Sequence, residues 1–578
     1  MINKIFLITF YFILTGAVNA LSHIELPDLI VVGSRSGVES GRDIEILNKS
    51  DFSDMYAAPL DSIINNFSSI YIMNRGPSGI QQDIGICAGS AAQSLIMLDG
   101  IPVNDPQTEH FNMNLPVSPG AVKRIELMKG HGSVSHGSGA MGGVINIVSD
   151  TSGEKDSLTV YGGDFETCGG EIVLNRDFGG YSNMFSFAAR NTGNYHPQTD
   201  SSNISFFDSM NYGDLKVSAG YMNKEFGAFD FYTPGWGMPS REWNETIIIS
   251  GSGRKEISGM ILRPSVMWRR HIDRFVLNAD MPEFYENNHT NDILSGMLET
   301  RYGGLLIGID TKGEYLDSSS MGIHNRCILS CFTEYTLRPA PDIVISGGIR
   351  KEGIVVPRVS AGWWISERIK LRASWGGSYR RPTFTELYYN SPANKGNIEL
   401  CPEKGEDVEV GADIAITAAV EMSITCGIRK RSDLIDWVGQ SANGPWQAEN
   451  RGSGINDTVN MNIGGRSGAL VYKLGYFFAD IANDDTYYSK YSLKYLRHRI
   501  NFMIKMHMGN HLTVITSGEW AVPEGREEED FSRIDAGISK KLAATDIFIR
   551  VENIFNSQYS DFSSVPSPGR WAVAGVRW

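Results

Sequence analysis

"GSGAMGG", from Gly137 to Gly143, satisfies G-x-G-x-x-G, the pattern of a dinucleotide-binding turn. A dinucleotide site needs an apolar strand before the glycines and a helix after them, with the pyrophosphate at that helix's N-terminus. Neither flank fits. "HGSVSH" (His131 to His136) precedes it as a small polar stretch, and "VINIVSD" (Val144 to Asp150) follows it. The β-branched Val144, Ile145, Ile147 and Val148 favour a strand. Asp164 stands about 20 residues on, where a ribose-binding carboxylate would be, but acidic residues are too common for one to carry the assignment. A periplasmic oxidoreductase would rest on this motif alone, so the glycines serve something other than a cofactor.

Downstream of the glycines the chain repeats a style rather than a motif. Ile369, Leu371, Ala373 and Trp375 alternate with Lys370, Arg372 and Ser374. Ile500, Phe502, Ile504, Met506 and Met508 alternate with Arg499, Asn501, Lys505 and His507. Each stretch has one apolar and one polar face; in a soluble sandwich the apolar faces would meet in a core, whereas in a membrane barrel they face lipid and the polar faces line a wet lumen. Connections between such stretches are unequal, some very short and others long and aromatic, as between the two rims of a membrane barrel. The chain ends on "RWAVAGVRW", which places Ala572, Ala574, Val576 and the aromatic Trp578 on one face. At about 19 residues per strand and connection, residue 155 onward accommodates roughly 22 strands, a size whose lumen needs a plug. The expected fold is an all-β transmembrane barrel of about 22 antiparallel strands, with an N-terminal mixed α/β plug in its lumen. In the plug region, Asp51 to Met73 carries a helical period and "SLIMLDG" (Ser94 to Gly100) reads as a strand and turn.

At the N-terminus, Lys4, an apolar run from Ile5 to Leu14, and Val18-Asn-Ala20 form a secretory signal cut after Ala20. No later run reaches the roughly 18 apolar residues of a spanning helix. The expected layout is a signal peptide at 1–20, an N-terminal segment at 21–50, the plug at 51–152 and the barrel at 153–578. Glycine, 62 of 578 residues, is abundant, and hydrophobic residues make up only 42% without any long block, which also favours strands. A net charge of -14 argues against nucleic acid as a partner. The six cysteines contain no CxxC pair; Cys327 and Cys331, if on one strand, lie about 13 Å apart and do not pair.

The segment "LIMLDGIPVNDPQTEHFNMNLPVSPGAVKRIELMKGHGSVSHGSGAMGGVINIV" (Leu95 to Val148) resembles the plug of TonB-dependent outer-membrane receptors. In that family a D-G-x-x-x-N-D strand-turn precedes an I-E-x-x-K-G strand, a glycine-rich turn and a G-G-V-I-N-I strand. "FGAFDFYTPGW" (Phe226 to Trp236), "FYENNHT" (Phe284 to Thr290), "RRPTFTELYY" with "GNIELCPEK" (Arg380 to Lys404), and "VENIFNSQYSDF" extend the resemblance over nearly the whole mature chain. They are similar particularly to its cobalamin-receptor-like branch. The chain departs from the family at Cys87, where an arginine is usual, and at His136, where a tyrosine is usual. The resemblance implies that Gly137 to Gly143 is the plug's glycine-rich turn.

It also implies uphill import across the outer membrane of a Gram-negative bacterium, with TonB supplying energy to a barrel in outer-membrane lipid; a monomer is expected, although nothing in the sequence fixes that. "LIVVGSR" (Leu29 to Arg35) resembles the TonB box: Ile30, Val31, Val32 and Gly33 would add as a strand to a partner's sheet edge. The alternative for these residues is the plug's first strand. Cobalamin is the expected ligand and a ferric siderophore the alternative, since one fold carries both on different loops. The ligand-binding candidates are the plug residues Asn104, Asp105, Gln107, Glu109, His110 and Phe111, and the loop aromatics Phe229, Tyr232, Trp236, Phe284 and Tyr285. Asn104, Asp105 and Glu109 offer oxygens to calcium, but their spacing matches no metal motif, and no cofactor or metal site is assigned. His507 and His511 straddle a strand end and are not a metal pair. No catalytic motif is present, so no enzyme is expected. A passive porin or adhesin shares the barrel but needs neither plug nor N-terminal handle.

Overall fold

The computed structural model describes residues 41–578 apart from 78, 152–154, 234, 442–443, 484–487, 491–494, 510, 525–529 and 562–564. The expected signal peptide and the box at Ile30, Val31, Val32 and Gly33 lie outside the described residues.

Period-two alternation becomes a closed barrel of 22 antiparallel strands. Its first strands are β8 (Ser157–Gly163), β9 (Cys168–Asp177), β10 (Tyr181–Thr192), β11 (Ser201–Tyr212) and β12 (Leu215–Gly227). The last, Trp571–Arg577, closes the ring on β8 with Val573 opposite Gly163 and Arg577 opposite Thr159. Outside and inside differ as the alternation requires: Leu371 is 38% exposed on the outer face, whereas its neighbour Arg372 is 5% exposed on the inner one. Cys327 and Cys331 share the strand Gly322–Ala340 and are both free and exposed. One rim is made of tight turns such as Gly213-Asp214 and Gly303-Gly304; we call it the turn end. The other carries the long connections and is the loop end, where Asn394–Lys395, Trp446–Asn450, Ile435–Gly439 and Tyr488–Ser489 add a four-stranded sheet. No helix among the described residues is long and apolar enough to cross a membrane.

Inside the barrel sits the plug. β1 (Ile44–Asn48), β4 (Ser94–Leu98), β5 (Ile101–Pro102), β6 (Val122–Lys129) and β7 (Gly143–Ser149) form a sheet in the order β1-β6-β7-β4-β5, with β4 and β7 parallel. β2 (Ile70–Asn74) and β3 (Gln82–Ile86) form a separate hairpin pointing to the loop end. Ile125, Leu127, Ile145 and Ile147 are fully buried in the plug core, each contributing about 1.5–3 kcal/mol by leaving water.

The helical period over Asp51 to Met73 is realised only in part. α1 (Lys49–Phe52) and α2 (Leu60–Ile64) are single turns separated at Pro59, and Ile70 onward is strand β2. Pro59 cannot continue a helix from α1 and serves as the N-cap of α2, while alternating Ile70 and Ile72 suit a pleated strand.

The glycine motif is a turn. After α3 (Ser133–His136), Gly139 takes φ +89, and a Cβ on Gly142 would lie 2.5 Å from the Ile86 carbonyl oxygen. The turn leads directly into strand β7, so no helix N-terminus faces the glycines.

Candidate ligand-binding site

Two plug loops reach toward the loop end: residues 75–77 and 79–81 between β2 and β3, and residues 103–114 after β5. The second is built by its own polar side chains. Asn104 accepts from Ile96 N at 2.7 Å and donates to Ser94 O at 2.9 Å, tying the loop to β4. Asp105 is buried against Arg269 of the barrel wall at 2.6 Å and also accepts from the Gln107 amide. Gln107 accepts from Asn291 at 2.6 Å. Phe111 is 3% exposed, its ring 4.5 Å from that of His271. These four candidates therefore hold the loop in place, and the half-buried Glu109 and His110 are the ones that face open space.

The first loop is anchored to barrel loops. Arg75 donates to Phe231 O at 2.9 Å, and Gln81 donates to the Tyr232 hydroxyl at 2.9 Å. Tyr232 in turn donates to Glu242 at 3.2 Å and meets the Phe275 ring edge-on at 5.0 Å. Phe229 lies half-buried 5.1 Å from the His196 ring. Tyr285 shares a 2.9 Å hydrogen bond with Tyr389. Trp236 and Phe284 stand free at 72% and 63% exposure. The candidates thus do not converge on one point: the plug residues are held within the barrel, while the aromatics are spread over its loop end.

One cleft joins the candidates Glu109 and His110 to residues the sequence did not single out, Tyr71, Asp83, Phe477 and Tyr495. Tyr71, Asp83, Glu109, His110, Phe477 and Tyr495 surround about 700 Å³ of unfilled space continuous with solvent. Beside it Tyr71 packs on the cluster of Leu496, Ala521 and Phe531, as does Tyr559, whose ring stacks on Phe531 at 4.5 Å. His110 Nδ1 lies 2.7 Å from Asp83, and Arg75 approaches the same carboxylate at 3.6 Å. Burial pushes the Asp83 carboxyl up, but His110 and Arg75 outweigh it and hold it below its usual value. Glu109 lacks such compensation: burial raises it, and His110 only partly opposes the rise. Such a cleft offers aromatic faces to an apolar surface and carboxylates to hydrogen-bond donors. Strand-like runs on both sides of "RGPSGIQ" (Arg75 to Gln81) were the available signal for this loop; the barrel partners, hundreds of residues away, had none.

Of the two departures, Cys87 is 2% exposed and takes φ +52 in the turn after β3. His136 is buried at the end of α3. His507 is exposed and lies 3.0 Å from Thr513. Among the described residues no group of three His, Cys, Asp or Glu side chains is poised around a metal.

Residues 38–144 match the family model described as the TonB-dependent receptor plug domain, and residues 131–524 match that of the TonB-dependent receptor-like β-barrel. Among solved structures, the siderophore receptor PirA from Acinetobacter baumannii is similar over 93% of this chain and 98% of its own, with a TM-score of 0.73 and 14% identity. PirA from Pseudomonas aeruginosa aligns over 92% and 98%, with a TM-score of 0.73 and 16% identity. A mutant ferric enterobactin receptor from Pseudomonas aeruginosa, in complex with enterobactin, aligns over 93% and 99%, with a TM-score of 0.74 and 14% identity. At these identities the likeness is one of fold.

Proposed function

This chain belongs to the TonB-dependent receptor family, and we propose that it captures a ferric siderophore at the loop end of an outer-membrane barrel and passes it inward when TonB pulls on the plug. The observation that carries the reading is a lumen filled by a folded plug whose outward loops meet barrel aromatics around an open cleft. A passive pore has no use for such a floor. The outer membrane supplies no energy of its own, so the handle is Ile30, Val31, Val32 and Gly33, exported behind the signal peptide at 1–20. A ferric siderophore is favoured because full-length structural neighbours are siderophore receptors by name. The cobalamin reading rests on the sequence branch alone. Glu109, His110, Phe229, Tyr232, Trp236, Phe284 and Tyr285 are the proposed contacts, with Asn104, Asp105, Gln107 and Phe111 shaping the floor beneath them.

The test is saturation binding of radiolabelled ferric trihydroxamate, ferric tris-catecholate and cyanocobalamin to cells displaying the protein. Saturable binding of one of the iron chelates supports the reading. Binding of cyanocobalamin alone replaces the ligand and returns the chain to the cobalamin branch.

A further inference from the structure

In the cleft beside Glu109 the nearby cations are taken and one carboxylate is not. Arg75, its side chain only 2% exposed, is held by Asp83 at 3.6 Å and by the Phe231 carbonyl at 2.9 Å, and it does not line the space. His110 is committed to Asp83 through Nδ1 at 2.7 Å. Glu109 lines the space half-buried, and among the described residues its carboxylate has no hydrogen bond or ion pair.

A second group in the same cleft is left over. Ser69 is 2% exposed, and among the described residues its Oγ has no hydrogen-bond partner, although the residue lines the space. A buried hydroxyl in that state costs free energy until a partner reaches it. Phe477 and Tyr495 of the barrel and Tyr71 of the plug complete the lining. The Tyr495 hydroxyl already accepts from Ile481 N at 3.2 Å, so Phe477 and Tyr495 offer the cleft mainly ring surface. An unpaired carboxylate, a free hydroxyl acceptor and aromatic faces together suit an alkylammonium, which has three donors, no acceptor and a charge that ring faces attract.

The loop end as a whole is biased the same way. Its connections between barrel strands carry 18 Asp and Glu against seven Lys and Arg, most of the chain's net charge of -14, whereas the turn-end connections carry four against three. Arg241, Arg326, Arg381 and Arg497 at the loop end each lie within 3.1 Å of a carboxylate. Such a field draws cations toward the cleft and repels anions.

We propose that the ligand is a ferric chelate of net positive charge, whose pendant primary ammonium enters this cleft and pairs with Glu109 and Ser69. This rests on the siderophore reading above and narrows it by charge. Three hydroxamates balance one ferric ion, so a trihydroxamate core is neutral and a terminal amine makes the whole a cation. Three catecholates leave a trianion, which this end of the barrel disfavours.

The test is equilibrium binding of one linear ferric trihydroxamate in three forms, with its terminal amine free, acetylated or succinylated, to cells displaying the full-length protein. Ferric tris-catecholate is the fourth probe. The free amine is expected to bind about tenfold more tightly than the acetylated form, with the succinylated form and the tris-catecholate weaker still. Glu109→Gln should bring the ratio between the amine and acetyl forms close to one. Equal binding of the three trihydroxamates, or tighter binding of the tris-catecholate, overturns the proposal and leaves the siderophore reading in place.

The arm alone gives a reading that needs no iron. Saturation-transfer NMR on the purified receptor compares N-acetyl-1,5-diaminopentane with N-pentylacetamide, which lacks the ammonium. A signal for the first that exceeds the second and is lost in Glu109→Gln supports the ammonium site even where no iron chelate binds, an outcome that counts against the siderophore reading alone. Equal signals from the two, or a preference that survives Glu109→Gln, overturn the proposal.

Discussion

Arg269 on the barrel wall and Asp105 on the plug form a 2.6 Å ion pair in which the two side chains are only 1% and 0% exposed. It fixes plug residues 105 to 111 against the barrel wall, because Arg269 also donates to the Phe111 carbonyl at 3.2 Å. Arg269→Met leaves Asp105 buried without its cation and should destabilise the plug by about 3–5 kcal/mol, whereas the double variant with Asp105→Asn should recover part of that loss. Calorimetric melting of the purified receptor checks both. A melting curve unchanged in Arg269→Met would remove this pair from the account of plug stability.

The Asp83 carboxyl, held low by His110 and Arg75 against the opposing effect of burial, sets an acid limit. Its folded pKa lies below the unfolded value of about 3.9, so its contribution is complete above that value and is lost as pH falls through the folded one. Stability measured downward from pH 5 should therefore fall less steeply below about pH 4 in Asp83→Asn than in the parent. Parallel acid limbs would show that Asp83 contributes nothing there.

Gly142 in the glycine turn should tolerate no side chain. An added Cβ would sit 2.5 Å from the backbone oxygen of Ile86, so Gly142→Ala forces the turn off the β3 end. The expected loss is about 1–3 kcal/mol of plug stability, read by denaturant titration, with barrel strand content by circular dichroism unchanged.

Val31→Pro probes the proposed N-terminal handle. Proline fixes φ and removes a strand-pairing donor, so the variant should bind ligand at the cell surface and accumulate none. Normal accumulation would take this segment out of the mechanism.

The barrel was legible in the sequence because lipid outside and water inside impose a period of two on every strand, as Ile369 to Trp375 display. The plug turn was legible because its glycines precede a β-branched strand. Less was legible where long-range partners decide. Asp105 reads as an outward acceptor until Arg269, 164 residues later, is seen to close over it. The helical period of Asp51 to Met73 gave way at Pro59 and at the Ile70–Asn74 strand, where pairing with β3 overrides local preference. Tyr71, Phe477 and Tyr495 come together in one cleft from opposite ends of the chain, which no local pattern announces.

Energised import is tested most directly by accumulation of the bound radiolabelled chelate in two strains that display this receptor equally and differ only in TonB. Equal saturable surface binding in both strains, with accumulation only where TonB is present, is the predicted result. Accumulation at the same rate in its absence would contradict energised import and make the barrel a passive pore.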